Sequence, residues 1–227
     1  MKQHAASHKI YLLHGYGSPK CWMNKINRSL QRENFDTHNF GYRGIIDHLD
    51  AIGLQLYNDI KKSDADSISF VTHSMGGLVV RSMLRYAEKD TDFPAIVKIV
   101  MITPPNKGAE IADMLATLHF LLGPNILNMS TKPESYANKL PIPQNTQIGI
   151  IIGARGKKRG YNPFIKGDND GLLTPEKARL DVESEIIYIR NDHFTMPLKK
   201  GVCRLVAEFL RTGRFLSRES LEMDRPD

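Results

Sequence analysis

The chain has 227 residues, which is enough to bury a continuous hydrophobic core within one medium-sized domain. Hydrophobic residues make up 41% and charged residues 25%, a balance that is ordinary for a soluble globular protein. The formal net charge is +6, and no apolar run approaches the roughly 20 residues needed to cross a bilayer, which excludes a membrane-spanning class of protein.

Short apolar, β-branched runs alternate with segments of helical periodicity along the whole chain. The runs predict strands at residues 9–14, 35–40, 67–73, 95–103, 147–153 and 185–190. The helical stripes between and after them are Trp22, Ile26 and Leu30; Leu49, Ile52, Leu56 and Ile60; and Val202, Leu205, Val206, Phe209 and Leu210. This alternation predicts an α/β fold with a mostly parallel central sheet flanked by helices.

The connection between the fourth and fifth predicted strands is unusually long for a compact domain. Residues 107–146 include a Leu- and Met-rich stretch at 109–129 and then a Pro-containing stretch at 139–146. One interpretation is a helix packed on the sheet and followed by a loop; the other, which we favour, is a helical cap or lid over an apolar substrate site. We predict one domain over residues 1–213 and a polar, disordered tail over 214–227.

Residues 72–76, Thr-His-Ser-Met-Gly, lie where the third predicted strand meets the next helix. Their spacing matches a Gly-x-Ser-x-Gly turn, except that Thr72 occupies the first glycine position. Such a turn strains the serine backbone so that the hydroxyl projects above the sheet, and small neighbours such as Gly76 make room for it. We predict that Ser74 is a nucleophile; the alternative is a serine that only caps the helix.

A serine hydroxyl needs a neighbouring base to take its proton. Among the eight histidines, His193 follows the last predicted strand and lies on a loop at a strand's carboxyl end, where α/β sites form. His73 precedes Ser74 directly and is set aside, because it does not easily fold back onto its neighbour. We therefore predict His193 as the base.

The carboxylate that orients this base is expected between the serine and the histidine in chain order. Residues 166–180 follow the fifth strand and offer Asp168 and Asp170. We favour Asp170, because the turn chemistry of Asp-Gly would hold its loop in place. Asp168 is the alternative, and Asp192 is disfavoured because it is adjacent to the histidine in the chain.

An acyl-transfer site also needs N–H donors for the oxyanion of the tetrahedral intermediate. Met75 follows the nucleophile and offers a backbone N–H at the start of a helix, where the helix dipole favours negative charge. The loop His14-Gly15-Tyr16-Gly17 follows the first strand, and its glycines would let the Tyr16 N–H point into the site. We predict an oxyanion hole formed by Tyr16 and Met75; the alternative for the loop is a plain glycine turn.

The distribution of basic residues limits the classes of partner that can be expected. Basic residues cluster at 155–160 and near the C-terminus, which we interpret as solvated surface or as a weak attraction to anionic membrane surfaces. We expect no nucleic-acid partner, because no aromatic residues interleave with these charges.

Cys21 and Cys203 lie outside any metal-ligand spacing, so no metal or cofactor is expected. No export signal is evident, which predicts a cytoplasmic protein, and oligomeric state is not encoded in any visible pattern.

These motifs together resemble the α/β-hydrolase superfamily, and within it the bacterial triacylglycerol lipases and related lipase-like serine esterases. The matching stretches are residues 14–17, 72–77, 103–113, 169–180 and 192–194. The resemblance implies a Ser74-Asp170-His193 triad, an oxyanion hole at Tyr16 and Met75, and a lid after Lys107. Some secreted relatives bind calcium through an Asp two residues beyond the histidine; Thr195 stands there, so no such site is expected.

The function that follows is serine carboxylic ester hydrolysis, lipase- or esterase-like, through an acyl-enzyme and on apolar acyl esters or lipids. Two alternatives stay open. One is an acyl thioesterase or acyltransferase that uses the same triad, since fold and triad decide mechanism better than substrate. The other is a non-catalytic binding protein with this fold.

Overall fold

A parallel six-stranded sheet forms the centre of the molecule. The computed structural model describes residues 7–215. Its strands are β1 (His8–Leu13), β2 (Thr37–Phe40), β3 (Ser67–His73), β4 (Ala95–Ile102), β5 (Gln147–Ala154) and β6 (Glu185–Arg190). They run in the order β2-β1-β3-β4-β5-β6, and every neighbouring pair is parallel. The predicted α/β fold and all six predicted strands are confirmed; β3 and β6 have the predicted ends, and the ends of the other four differ by at most two residues.

Helices cover both faces of this sheet. They are α1 (Asn24–Arg32), α2 (Leu49–Lys61), α3 (Gly76–Ala87), α4 (Glu110–Met114), α5 (His119–Leu122), α6 (Asn125–Asn128), α7 (Tyr136–Lys139), α8 (Pro175–Ala178) and α9 (Lys200–Thr212). Short 3-10 turns lie at Lys20–Met23, Ala116–Leu118 and Met196–Leu198. None of the helices within residues 7–215 combines the length and the apolarity required to cross a membrane.

Alternation along the strands divides the hydrophobic core in two. In β1, Tyr11 and Leu13 belong to the cluster under α2 and α3, whereas Ile10 and Leu12 belong to the cluster under α1 and α9. Because successive side chains of a strand point to opposite faces, a strand buried on both sides reads as one continuous apolar run. This explains why the strands were recognisable in the sequence.

The strand order places the site. The chain moves from β1 outward to β2 and then returns to the other side of β1 to form β3. The loops after β1 and β3 therefore diverge at the carboxyl edge of the sheet, and ligands of open α/β sheets bind in the crevice at such a point. Residues 14–17 follow β1 and Ser74 follows β3, so both predicted motifs lie at this crevice.

Two details differ from the sequence-based expectations. Trp22 does not belong to the buried stripe of α1: it lies in the preceding 3-10 turn and is partly exposed, while Met23 is buried in its place. The reason is that the tighter turn rotates the stripe by one residue. The predicted polar tail falls outside the described residues from residue 216 onward, and Phe215 still packs on Phe209, with the ring centroids 5.0 Å apart.

The segment between β4 and β5 is neither one helix nor a plain loop. It contains α4 to α7, each of only four or five residues. Side chains of α4 and α6 join the core cluster under α2 and α3, among them Ala112 and Ile126. Helices this short are unstable alone, so their conformation depends on packing against the domain.

Candidate active site

Ser74 lies on a strained turn between β3 and α3. Its φ angle is 51°, in the left-handed region that non-glycine residues rarely adopt. The turn is held by backbone hydrogen bonds: Ser74 N donates to Ile102 O at 2.9 Å, and Gly77 N donates to Ser74 O at 3.0 Å. A Cβ at position 76 would lie 2.7 Å from Leu13 O, so only glycine fits there. The local geometry is that of a nucleophile elbow.

Thr72, which replaces the first glycine of the motif, is accommodated without displacing the turn. Its side chain is fully buried, and its Oγ1 would lie 3.5 Å from a Cβ at Gly77. Even a Cβ at position 77 would be in ordinary van der Waals contact with Thr72, so the threonine does not crowd the start of α3.

His193 and Asp170 form a buried pair on neighbouring loops. Nδ1 of His193 lies 2.6 Å from Oδ2 of Asp170, and both side chains are 2% exposed. The backbones are joined as well, because His193 N donates to Asp170 O at 2.8 Å. With Nδ1 donating to the carboxylate, Nε2 is the acceptor nitrogen of the neutral ring.

The carboxylate of Asp170 is held in place by its own loop. Its Oδ1 accepts hydrogen bonds from the backbone N–H groups of Leu172 and Leu173, each at 3.0 Å. Asp170 N donates in turn to Leu173 O at 3.2 Å. The residues after the Asp-Gly turn thus fix one carboxylate oxygen and leave the other free for the imidazole.

Ser74 and His193 open onto one cavity of about 480 Å³. Among the described residues, Nε2 of His193 has no hydrogen-bond partner although it is buried. The serine hydroxyl and this nitrogen are thus brought to the same cavity without a direct hydrogen bond. Catalytic hydrogen bonds often tighten only when substrate binds.

The cavity is predominantly apolar. Part of its wall comes from the segment between β4 and β5, and part from the loops after β1, β5 and β6. Its large apolar lining residues are Trp22, Ile111, Leu115, Ile126, Met129, Leu172, Leu173 and Phe194. Such a lining suits a hydrocarbon group and offers few polar contacts away from Ser74 and His193.

The two residues predicted to form an oxyanion hole belong to segments that adjoin Ser74. A Cβ at Gly15 would lie 3.0 Å from Ser74 Cβ, so the loop after β1 approaches the serine closely, and Tyr16 lines the cavity. Met75 directly precedes α3, with a buried side chain. Within residues 7–215, neither backbone N–H donates to another backbone group. The Tyr16 hydroxyl donates to Leu122 O and ties this loop to α5.

The side chains of Asp168 and Asp192, the two other candidate carboxylates, bind backbone N–H groups of nearby turns. Asp168 accepts hydrogen bonds from the N–H groups of Arg155 and Gly156, both at 2.9 Å. Asp192 Oδ1 accepts from Phe194 N and Thr195 N, both at 3.0 Å. Both side chains are therefore engaged away from the imidazole. No group of three or more His, Cys, Asp or Glu side chains within residues 7–215 could hold a metal ion.

His73 is a site residue that the sequence-based reasoning set aside. It is buried in the cavity wall, and its Nε2 lies 3.0 Å from the backbone O of His193, to which it donates. The two rings are 5.1 Å apart. Burial, more than the nearby His193, lowers the pKa of His73 to about 3. The signal that could have found it is its position at the carboxyl end of β3, directly beside Ser74.

Two protein-family models match the sequence. Residues 58–211, more than half of the chain, match the family described as "Alpha/beta hydrolase of unknown function (DUF915)". Residues 4–104 match the family described as "Putative serine esterase (DUF676)". With the fold and the elbow described above, these matches define a lipase- and esterase-like α/β hydrolase. The chain belongs to the DUF915 family.

Comparison with known proteins gives the same fold. Protein SERAC1 of Danio rerio is 36% identical over 144 residues, covering 48% of this chain and 21% of that protein, so the match spans about a fifth of the relative's length. The mature lipase BlEst2 of Bacillus licheniformis superposes with a TM-score of 0.68 at 17% identity, covering 92% of this chain and 93% of the lipase. Phospholipase PlaB of Legionella pneumophila gives 0.67 at 12% identity, covering 96% and 62%.

Proposed function

We propose that this protein is a serine carboxylic ester hydrolase that acts on apolar acyl esters through an acyl-enzyme. In this mechanism Ser74 Oγ attacks the acyl carbonyl while His193 Nε2 takes the hydroxyl proton. Asp170 holds the imidazole in the required tautomer and stabilises its positive charge. His193 then returns the proton to the leaving alcohol, and water, activated by the same nitrogen, releases the acid.

The observation that carries the proposal is the state of His193. Its Nδ1 lies 2.6 Å from a fixed carboxylate, and its Nε2 is buried, unpartnered and in the wall of the cavity that Ser74 lines. Lack of a partner alone does not single out this nitrogen, because Nδ1 of His73 is also buried without one. The combination is what supports the role: a carboxylate fixes Nδ1 of His193, and Nε2 is left as an acceptor in the wall of the cavity that Ser74 also lines.

The oxyanion of the tetrahedral intermediate would be bound by the N–H groups of Tyr16 and Met75. The close approach of Gly15 to Ser74 supports this assignment, as does the position of Met75 beside the N-terminus of α3. Each such donor contributes roughly 3 kcal/mol of transition-state stabilisation in acyl-transfer enzymes. No side chain is needed for this role, which explains why two unrelated residue types could fill it.

The substrate class follows from the cavity. Its volume of about 480 Å³ and apolar lining suit a hydrocarbon acyl chain, with the ester at the Ser74 end. The segment 107–146 would act as a cap, because Ile111, Leu115, Ile126 and Met129 form one wall of this space. Longer apolar acyl groups should bury more surface there and bind more tightly, by about 0.8 kcal/mol per methylene.

The test is covalent labelling by a fluorophosphonate probe together with a panel of short and long p-nitrophenyl esters and matched thioesters. We expect the wild type to be labelled on Ser74 and to hydrolyse esters, with a preference for apolar chains. Ser74→Ala should lose both properties, and Ser29→Ala, in which another serine is changed, should keep both. Equal rates for the Ser74→Ala variant and the wild type would instead indicate a non-catalytic binding protein. Faster turnover of the thioesters than of the matched esters would indicate a thioesterase.

A further inference from the structure

The most exposed apolar side chains gather at one edge of the molecule. In the part of the chain that the structure describes, five large apolar side chains are more than half exposed: Ile46 (64%), Phe120 (71%), Leu121 (70%), Phe164 (81%) and Phe194 (57%). Their contacts place them around the cavity, at the carboxyl edge of the sheet. Phe194 lines the cavity, and Phe120 and Leu121 precede Leu122, whose carbonyl accepts from the hydroxyl of the cavity residue Tyr16. Ile46 follows Ile45, whose O would contact a Cβ at Gly123, next to Leu122. Phe164 belongs to the loop after β5, in which Asn162 Nδ2 donates at 3.1 Å to Gly171 O, beside the cavity residue Leu172.

The segment after β5 adds positive charge to this edge. We call residues 155–167 the basic loop: Lys157, Lys158, Arg159 and Lys166 are all exposed, and no acidic residue occurs within it. Within residues 7–215, none of these four cations takes part in an ion pair. Their charge is therefore available to a partner rather than neutralised by a neighbour.

The basic loop is held in a definite conformation. Asn169 Nδ2 donates to the carbonyls of Asn162 at 3.1 Å, Ile165 at 3.3 Å and Gly167 at 3.2 Å. The side chain of Asp168 accepts from the loop's first two N–H groups. Phe164 N donates to Asn162 Oδ1 at 3.0 Å, which places the phenyl ring next to a buried Ile165. The loop thus presents an aromatic ring to solvent, although the adjacent side chain is buried.

We propose that the carboxyl edge is a docking surface for an anionic lipid bilayer, with the basic loop as its charged contact and Phe164 as its inserting side chain. This goes beyond the proposed ester hydrolysis, which requires no membrane. Exposed lysines attract anionic headgroups, each contributing free energy near the surface. An exposed phenyl ring gains free energy on entering an apolar phase, and the four other exposed apolar side chains at this edge gain it in the same way. A soluble phosphate compound or a nucleic acid offers no apolar phase to the aliphatic members of this group, which favours a bilayer.

Docking in this orientation would bring the cavity to the lipid. Phe120 and Leu121 belong to α5, in which Leu122 O accepts a hydrogen bond from the Tyr16 hydroxyl. Phe194 follows His193 directly. The exposed apolar groups therefore surround the elements that carry the reacting residues. A membrane-bound molecule would present its cavity to acyl chains instead of to bulk water.

The experiment is sedimentation of the full chain with vesicles of phosphatidylcholine alone or with about a third phosphatidylglycerol. We expect binding to the anionic vesicles, weakened by high salt, and little binding to the neutral ones. The double change Lys157→Glu/Lys158→Glu should weaken binding by at least about tenfold. Phe164→Ser, at a position 81% exposed, should weaken it by about tenfold while leaving the fold unchanged.

Matched controls lie away from the carboxyl edge. Lys62→Glu/Lys89→Glu makes the same change of charge at the other ends of α2 and α3, and Leu54→Ser removes an apolar side chain that is 39% exposed on α2. Both should change vesicle binding by less than about twofold, because these residues face away from the docking surface.

Three results would overturn the proposal. The first is equal binding to neutral and anionic vesicles. The second is an equal loss of vesicle binding in Lys157→Glu/Lys158→Glu and in Lys62→Glu/Lys89→Glu. The third is vesicle binding that Phe164→Ser does not change and that RNA competes away, which would make nucleic acid the partner of the basic loop. Binding is also measured with Ser74→Ala, which separates docking from turnover. If the wild type binds vesicles but does not hydrolyse a soluble short ester, the proposed hydrolysis fails and docking stands. If it hydrolyses the ester but does not bind vesicles, docking fails and the proposed hydrolysis stands.

Discussion

Two walls of the cavity are built in different ways. The wall that carries Ser74 is made of backbone: β3 lies between β1 and β4, Ser74 N is bonded to Ile102 O, and Gly76 lies against Leu13 O. The opposite wall, from the segment between β4 and β5, consists of helices of four or five residues. The first wall is continuous with the sheet, whereas the second depends on what fastens it.

Several contacts fasten the second wall to the rest of the domain. They include backbone hydrogen bonds, such as Ile111 N to Leu172 O at 3.1 Å, and side chains that bind backbone groups. Arg81, buried on α3, donates to Asn106 O at 2.9 Å, Leu140 O at 2.7 Å and Pro141 O at 3.0 Å. Asn125 donates to Gly44 O at 2.7 Å and accepts from Leu49 N at 3.0 Å. The difference teaches that the position of Ser74 is insensitive to most side-chain changes, while the segment between β4 and β5 depends more on individual side chains.

The largest expected effect comes from disabling the chemistry without moving either wall. Asp170→Asn should keep the backbone contacts of the loop but favour the wrong imidazole tautomer, so kcat should fall by about 10⁴-fold. Steady-state kinetics on a soluble ester measures this. Asp168→Asn is the matched control, because Asp168 binds only its own turn, and its kcat should change by less than about tenfold. Equal losses in both variants would contradict the assignment of Asp170.

The next change breaks the first wall where it is tightest. In Gly76→Ala the new Cβ would lie 2.7 Å from Leu13 O and 2.9 Å from His14 O, and these backbone atoms cannot yield. The free energy of unfolding should fall by about 3 kcal/mol, which urea titration measures. Gly77→Ala, whose nearest atom would be Pro104 Cβ at 3.2 Å, should cost less than about 1 kcal/mol. An unchanged free energy of unfolding in Gly76→Ala would contradict the view that backbone packing fixes the wall that carries Ser74.

The second wall is tested at its main fastening. Arg81→Met removes three hydrogen bonds and leaves buried carbonyls unpaired, so we expect unfolding to become easier by about 2 to 3 kcal/mol. Limited proteolysis should then cut first within residues 103–146. The control is Arg211→Met on α9, whose partly exposed pair with Glu33 should contribute less than about 1 kcal/mol. Proteolysis at unrelated sites in Arg81→Met would argue against a locally fastened cover.

The smallest effect concerns the contact between His73 and the His193 loop. The pKa of His73 is lowered to about 3, below the value of about 6.5 for an unfolded chain. Between these values the unfolded chain binds a proton that the folded protein does not, so stability should decrease as pH falls from about 6.5 towards 3. His73→Asn keeps a donor for His193 O and removes the titrating group, so its stability should decrease less steeply, by on the order of 1 kcal/mol per pH unit.

The measurement for His73 is urea unfolding of both proteins between neutral pH and pH 5. His14 adds a change of the same sign, since burial also lowers its pKa, but it is present in both proteins and cancels in the comparison. Parallel stability curves would show that His73 is not titrating in this range.

Much of this protein was predictable from local sequence pattern. The six strands and the long helices follow from periodicity, and the turn at residues 72–76 and the loop that carries His193 follow from their positions after strands. These features depend on neighbours within a few residues, which is the range over which a sequence can be read directly. The parallel arrangement adds that such loops meet at one edge.

Only the tertiary structure decided which groups meet there. Asp168 and Asp170 are two residues apart and chemically alike, yet one binds its own turn and the other binds the imidazole. Nε2 of His73 binds the backbone O of His193, which is 120 positions away in the chain. The segment after β4 divides into short helices, and Asn125 in one of them donates to Gly44 O. Such contacts depend on how remote parts of the chain pack, and no local periodicity encodes a distance between them.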